Sequence, residues 1–400
     1  MVRTLVVTND YPPRPGGIQA FVQAMVDGFT SSDVVVYAST WRGNAEECRK
    51  YDAERPYLTI RDRTTMMIPD PPRVRRAVEI AKAEGCDRVW FGAAAPLALM
   101  APTLRRKAGV ERLVATTHGH EAGWAQLPGS RQLLRRIGDG VDVLTYLVEY
   151  YHRKVGDVLS PEARARMAQL HPGVDVETFH PGVRVEPETL ALRERLGLKD
   201  RPTVVCVSRL VPRKGQDTLI KAMPLIKKAV PDAALLIGSG GPYRKELEKL
   251  AEDTGVRRDV VFSGPVSWAE LPRLYAAGDV FAMPCRTRRR GLDIEGLGIV
   301  YLEASALGMA VVGGDSGGAP DAVLEGETGY VVPGSGELSV RQTAERVAEL
   351  LNDPAKAAEM GKAGRAWVER EWQWPLVRRR FRELLDLPDP TPTPDAPGSR

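Results

Sequence analysis

Short runs of aliphatic and β-branched residues alternate along the whole chain with longer stretches whose apolar positions recur at helical spacing. In the first half the strand-like runs are Arg3–Thr8, Val34–Ser39, Asp87–Gly92, Leu113–Thr117 and Val141–Tyr146. Between them Ile18–Phe29, Pro72–Glu84 and Ala95–Lys107 read as helices, and Pro72 suits a first turn, where its missing N–H has no partner to lose. Such alternation predicts a parallel sheet covered by helices on both faces. The pattern pauses near residues 170–202 and then restarts with Thr203–Ser208, Ala234–Gly238, Asp259–Ser263, Val280–Met283 and Ala310–Gly313. The expected fold is α/β, with two doubly wound, Rossmann-like parallel-sheet domains spanning 1–172 and 173–386. The last helix has the option of packing back on the first domain. Such sheets bind ligands at the carboxyl ends of their strands, so two facing domains would line one interdomain cleft. Residues 387–400, rich in Pro, Asp and Thr, read as a disordered tail.

Length and composition agree with this picture. At 400 residues the chain is too long for one ordinary core and comfortable for two. With 43% hydrophobic and 27% charged residues, overall disorder is excluded. The four cysteines, Cys48, Cys86, Cys206 and Cys285, lie far apart with no CxxC pair, which argues against a zinc site or disulfide framework and fits a reducing cytoplasm. Met1–Thr8 leads straight into a strand with no cleavage signature. The longest uncharged run, Val89–Leu104, is broken by Gly92, Pro96 and Pro102 and falls short of the roughly 20 residues a spanning helix needs. No membrane span is expected. Charge is uneven: residues 1–170 hold 24 Lys and Arg against 19 Asp and Glu, a surplus of five, while the remainder is at −1. That surplus fits an anionic partner for the first domain, although chance alone produces such imbalances.

The richest chemistry follows the restarted pattern. Strand Thr203–Ser208 runs into Ser208-Arg-Leu-Val-Pro-Arg-Lys-Gly215, which places Arg209 and Lys214 on the loop at its carboxyl end. Two fixed cations there suit a diphosphate and would stabilise it as a leaving group; otherwise they are solvated surface charges. The glycine-rich Gly238-Ser-Gly-Gly241 lacks dinucleotide-fingerprint spacing and is weak evidence. Glu295-Gly296-Leu297-Gly298-Ile-Val-Tyr-Leu-Glu303 sets two glutamates eight residues apart, with a helix predicted to start near Leu297. Glu295 would then stand just before the helix N-terminus, itself an anion site, and Glu303 about two turns in. One carboxylate can orient sugar hydroxyls while the other accepts from a ribose diol. A surface helix with two acids would leave the intervening glycines unexplained. Ser316-Gly-Gly-Ala-Pro-Asp321 after the next strand is placed to hold this loop from beneath.

In the first domain, Gly16 and Gly17 follow the first strand and would let backbone amides approach phosphates; on their own they make a plain strand–helix turn. His118 and His120 share one strand end in Thr117-His-Gly-His-Glu121, which fits a polar role at the cleft or structural hydrogen bonding. No third ligand accompanies them, so metal binding is not expected. Arg131, Arg135 and Arg136 lie opposite Leu133, Leu134 and Ile137 on a predicted helix, and Arg73, Arg75, Arg76 and Arg105-Arg106-Lys107 add further basic clusters. These surfaces suit anionic headgroups or are ordinary solvated faces. Lacking interleaved aromatics, they do not suggest nucleic acid.

Gly16-Gly17, His118, Arg209 with Lys214, and Glu295-x7-Glu303 together resemble the retaining glycosyltransferases of family 4, which have the GT-B fold. The resemblance covers nearly the whole chain. Val7-Thr-Asn-Asp-Tyr-Pro-Pro, Phe91-Gly-Ala-Ala-Ala-Pro-Leu and Gly291-Leu-Asp-Ile-Glu-Gly-Leu-Gly look more narrowly like actinobacterial phosphatidyl-myo-inositol mannosyltransferases, of the kind that adds a second mannose, in α-1,6 linkage, to a phosphatidylinositol monomannoside. This resemblance implies GDP-mannose as donor, an anionic glycophospholipid acceptor, no required cofactor or metal, and peripheral contact with the cytoplasmic face of the membrane. It implies that Arg209 and Lys214 neutralise the diphosphate, that Gly17 contacts it, that Glu303 holds the ribose, and that the backbone around Val266 reads guanine. Glu295 would bind mannose and His118 would stabilise the reacting sugar, with no protein nucleophile. In Arg288-Arg-Arg-Gly291 the chain is bulkier than that family's glycine-rich stretch. The same fold with another nucleotide sugar or acceptor, a nucleotide-sugar epimerase, and a non-enzymatic nucleotide-binding module are the competing readings.

Overall fold

The central strands are near-continuous apolar runs, because helices cover both faces of a parallel sheet. The computed structural model describes residues 2–388. Seven strands form the first sheet: β1 (Thr4–Thr8), β2 (Val34–Ala38), β3 (Leu58–Arg61), β4 (Arg88–Phe91), β5 (Arg112–Thr116), β6 (Val143–Tyr146) and β7 (Met167–Gln169). All its pairings are parallel, in the order β3-β2-β1-β4-β5-β6-β7. Alternate residues feed two cores. Leu5, Val7, Val35, Val89 and Leu113 face one helical layer, while Val6, Val34, Val36, Trp90 and Val114 face the other.

The second sheet has six parallel strands: β8 (Thr203–Val207), β9 (Ala234–Gly238), β10 (Val260–Gly264), β11 (Val280–Met283), β12 (Ala310–Gly314) and β13 (Gly329–Val332), in the order β10-β9-β8-β11-β12-β13. The chain divides into two units. One runs to Pro172 and resumes at Trp374, and the other is Gly173–Gln373. The closing helix, Trp374–Leu384, belongs to the first unit because its apolar stripe is buried there. Phe381 meets Trp90 edge-on with ring centroids 4.6 Å apart, and Arg88 and Arg112 donate to the carbonyls of Leu385 and Leu384 at 3.0 and 2.9 Å.

Strands β3, β7 and β13 have no counterpart among the sequence expectations. They are short, and β3 and β7 are only partly buried, so their apolar pattern is diluted. The helix expected over Ala95–Lys107 is a short 3-10 turn, Leu97–Met100, running into a helix, Ala101–Ala108. Of the expected tail, residues 389–400 lie outside the described residues. Leu387 donates its backbone N–H to the Arg382 carbonyl.

Candidate active site

In the second unit the winding reverses between β8 and β11, and the loops leaving their carboxyl ends part at that point, where open α/β sheets form their ligand crevice. The β8 loop closes in a tight turn over Pro212–Lys214. Gly215 follows with φ +77°, and a Cβ there would lie 2.0 Å from the Pro284 carbonyl oxygen, so glycine is what lets this loop press against the one after β11. Gln216 ties the loop's ends by donating to Ser208 Oγ (2.9 Å) and the Arg209 carbonyl (3.2 Å). Arg286 joins the two loops: its backbone N–H donates to the Arg213 carbonyl at 2.8 Å, and its Nη2 reaches both carboxylate oxygens of Asp217 at 2.8 and 3.0 Å.

This scaffold brings Lys214 Nζ to 2.7 Å from Glu295 Oε2, with both side chains almost buried. Arg213 Nε lies 3.8 Å from the same oxygen, and its Nη1 lies 3.7 Å from Asp293. Arg209 is exposed and makes no ion pair among the described residues. The Glu295 backbone is pinned by the loop after β12. Its N–H donates to Ser316 Oγ at 3.2 Å and its carbonyl accepts from the Gly318 N–H at 3.1 Å. Between those contacts Gly317 has φ +58°, and a Cβ would meet the Glu295 carbonyl oxygen at 2.1 Å.

Helix Ile299–Ala306 starts two residues later than expected, because Gly298 takes a left-handed conformation at its cap. Glu303 is therefore just over one turn in, not about two. Leu297 is buried, whereas a Cβ on Gly296 would touch nothing within 4 Å. Glu303 is buried and accepts from the Tyr275 hydroxyl at 2.5 Å. Burial pushes its carboxyl up to about 7, with the Tyr275 hydrogen bond and the Lys214 charge pulling the other way. Burial, then the Glu303 charge, raises the Tyr275 hydroxyl well above its ordinary value. Val266 is half-buried in the segment after β10. The glycines of Gly238–Gly241 serve packing: Gly240 accepts from the Leu210 N–H at 3.0 Å, and a Cβ on Gly241 would lie 2.4 Å from the Leu210 carbonyl oxygen.

In the first unit the reversal lies between β1 and β4. Gly16 and Gly17 are exposed at the start of helix Gly17–Val26, whose N-terminus carries no side-chain cap, leaving its amides available to an anion. His118 follows β5, and its Nε2 lies 2.6 Å from the carbonyl of Gly92, which follows β4. Its backbone N–H donates to Glu121 Oε2 at 3.0 Å. Burial pushes the imidazole below its ordinary pKa against the opposing Glu121 charge. A neutral ring that donates Nε2–H to Gly92 keeps Nδ1 as its acceptor. His120 points outward, 3.3 Å from the fully buried Glu121.

The basic residues divide in two. Arg73 is held by Asp70 at 2.8 Å and Asp62 at 3.7 Å, and Arg76 stands 3.6 Å from Glu79, so their charge is partly spent within the fold. Arg75, Arg131, Arg135 and Arg136 are exposed and make no ion pair among the described residues. Met66, Ile68 and Leu127 add exposed apolar groups beside the two basic helices, Pro71–Ala83 and Pro128–Gly140. Among the described residues no three His, Cys, Asp or Glu side chains cluster as a metal site, and no helix is long and apolar enough to cross a membrane. Sequence reasoning passed over Arg213, Asp293 and Tyr275. Arg213 is signalled by its place beside Lys214, whereas nothing local links Tyr275, on helix Leu271–Ala276, to Glu303.

Two open parallel-sheet units, each with a reversal of strand order, have the architecture of the GT-B class of glycosyltransferases. The structure of Anabaena HepE in complex with UDP aligns over 96% of this chain and 100% of its own, with TM-score 0.77 and 18% identity. Sucrose-phosphate synthase from Thermosynechococcus elongatus aligns over 96% and 98%, with TM-score 0.73 and 21% identity. Residues 189–367 match the model of Glycosyl transferases group 1. The GDP-mannose-dependent alpha-(1-6)-phosphatidylinositol monomannoside mannosyltransferase of Mycolicibacterium smegmatis is 50% identical over 95% of this chain and 97% of its own length. A Corynebacterium glutamicum mannosyltransferase, named for a monoacylated form of that acceptor, is 48% identical over 96% and 97%. The chain belongs to the group 1 glycosyl transferases, within the family these mannosyltransferases represent.

Proposed function

We propose that this enzyme transfers mannose from GDP-mannose to a phosphatidyl-myo-inositol monomannoside, forming an α-1,6 bond with retention at the sugar carbon. The observation that carries the proposal is the buried Lys214–Glu295 pair at the β8/β11 reversal, locked from beneath by Ser316 and Gly317. It occurs in a chain half identical to a relative named for that reaction. Arg209 and Lys214 neutralise the diphosphate, Glu295 with Gly296, Leu297 and Gly298 cradles the mannose, Glu303 holds the ribose, and the backbone at Val266 meets guanine. Gly16 and Gly17 present amides to the donor phosphates, and His118 stabilises the reacting sugar.

In the step itself, the bond from the sugar carbon to the diphosphate oxygen breaks while the acceptor oxygen bonds to the same face. The acceptor proton passes to the departing diphosphate. The positive charge of Arg209 and Lys214 stabilises that leaving group, a role preorganised donors perform best in a water-poor site. The exposed cations Arg75, Arg131, Arg135 and Arg136, with Arg73 and Arg76 beside them, meet the anionic headgroups of the acceptor and its membrane. The working location is peripheral, at the cytoplasmic face.

Product analysis with radiolabelled GDP-mannose and a phosphatidylinositol monomannoside extract tests the reading. A dimannosylated lipid is expected. Donor turnover without acceptor would identify an epimerase instead, and stabilisation by UDP or ADP but not GDP in a thermal-shift series would reassign the donor.

A further inference from the structure

The run Arg288-Arg-Arg-Gly291 lies in the loop between β11 and Glu295, and the fold gives it a definite form. Arg288 and Asp293 exchange both backbone N–H···O bonds, at 2.9 and 3.3 Å, which closes a small hairpin over residues 289–292. Its stem is tied to the donor site. Arg288 Nη1 donates to Asp293 Oδ2 at 3.3 Å, and Arg213 Nη1 lies 3.7 Å from the other oxygen of that carboxylate. Next to the stem, Thr287 Oγ1 lies 3.1 Å from Ser316 Oγ, the hydroxyl that accepts from the Glu295 N–H.

The tip is built differently. Arg289, Arg290 and Gly291 have φ of +48°, +54° and +90°, three successive left-handed residues of which only one is glycine. A Cβ in that region crowds the following carbonyl oxygen, and such conformations cluster at ligand clamps and active sites. Of the four non-glycine residues with positive φ among the described residues, two are these neighbours. Both arginines are exposed, and neither side chain makes an ion pair or hydrogen bond among the described residues. Asp293, the carboxylate nearest in sequence, already serves Arg288 and Arg213. The tip therefore carries two uncompensated positive charges. Beside them Leu292 is 61% exposed. A single exposed leucine is ordinary, but here it shares one turn with two unanswered cations on a pinned stem. That pattern fits a phospholipid, with phosphate against the guanidiniums and the leucine at the boundary of the acyl chains.

We propose that the Arg289–Leu292 tip grips the phosphodiester of the lipid acceptor, giving the second unit its own contact with phospholipid. The proposal rests on the reading that the acceptor is a phosphatidylinositol mannoside. Arg289 and Arg290 donate charged hydrogen bonds to the phosphate oxygens, and Leu292 enters the apolar margin beside them. The test uses the full chain and the double variant Arg289→Gly, Arg290→Gly. Glycine takes left-handed angles without penalty, so the variant keeps the hairpin and its melting temperature. Two measurements are made: co-sedimentation with phosphatidylcholine vesicles with and without phosphatidylinositol, and transfer kinetics with phosphatidylinositol monomannoside. The double variant is expected to bind phosphatidylinositol vesicles roughly thirtyfold more weakly, the worth of two cations at an anionic surface. Its KM for the lipid should rise by a similar factor while GDP affinity stays unchanged. Leu292→Ser is expected to weaken binding to both kinds of vesicle, by about tenfold. Vesicle binding and lipid KM that are unchanged in the double variant overturn the proposal. A parallel loss of GDP affinity also overturns it, assigning these arginines to the donor's diphosphate. Failure of the mannosyl reading looks different: the wild-type chain would leave the monomannoside unmodified, while the vesicle difference would stand by itself.

Discussion

Glu303 offers the sharpest test of the donor site, because its environment converts into a pH dependence of defined sign. The carboxyl is raised from an ordinary 4.5 to about 7, chiefly by burial. Each unit is worth about 1.36 kcal/mol, so ionising this side chain inside the protein costs roughly 3 kcal/mol more than in water. The unfolded chain releases that proton near 4.5, while the folded one keeps it until about 7. The group's contribution to stability is therefore fully present below the lower value and is lost as pH rises through the upper one. A ribose diol donating to the carboxylate favours the ionised form, so donor binding should expel a proton. GDP-mannose is the appropriate ligand, because its diphosphate is esterified at both ends and does not itself titrate near neutrality. Calorimetry without acceptor, at about pH 6 and pH 8 in buffers of different ionisation enthalpy, should show roughly tenfold tighter binding at the higher pH and up to about one proton released at the lower. Glu303→Gln should bind more weakly with a flat profile, and should be more stable than the native chain above pH 7. A wild-type affinity equal at the two pH values, with no buffer-dependent heat, would refute the assignment of Glu303 to the ribose.

Further outcomes are expected of the same geometry. Lys214→Ala and Glu295→Gln should each lower kcat/KM by more than about tenfold, the worth of a charged hydrogen bond, and near-native rates in both would remove this pair from the reaction. Lys214→Ala should also melt several degrees lower, because Glu295 loses its 2.7 Å partner. Gly317→Ala must displace the Glu295 loop, since its Cβ would lie 2.1 Å from the Glu295 carbonyl oxygen; about 1 kcal/mol or more of strain and a large loss of turnover should follow. Gly296→Ala, with nothing within 4 Å, is the matched control and should keep its melting temperature. Replacing Arg131, Arg135 and Arg136 together by Gln should weaken co-sedimentation with anionic vesicles by about two orders of magnitude, at about 1 kcal/mol per cation, with neutral vesicles unaffected. Binding indifferent to lipid charge would rule out that surface.

Strand positions β1, β2, β4 to β6, β8, β9, β11 and β12 were legible because a strand buried on both faces must be apolar throughout, a local signal that survives without any tertiary knowledge; β10, buried only at its first residue, still carries an apolar Val-Val-Phe run. The paired glutamates and the Arg209–Lys214 loop were legible as motifs because charged residues at fixed spacing beside glycines stand out in the sequence itself. Strand order was not legible. It decides that the loops after β8 and β11 are neighbours, and hence that Lys214 and Glu295, eighty-one residues apart in sequence, form one buried pair. Nor could sequence spacing show that Tyr275 caps Glu303, that Glu121 anchors His118, or that Arg73 is answered by Asp70 and Asp62 while Arg131, Arg135 and Arg136 make no ion pair among the described residues. The sequence alone determined which segments could be strands and which residues could carry charge to a phosphate or accept from the hydroxyls of a sugar. Only the tertiary structure decided which of those charges are compensated and which are left to act, because compensation depends on distances across strands and loops that no local pattern encodes.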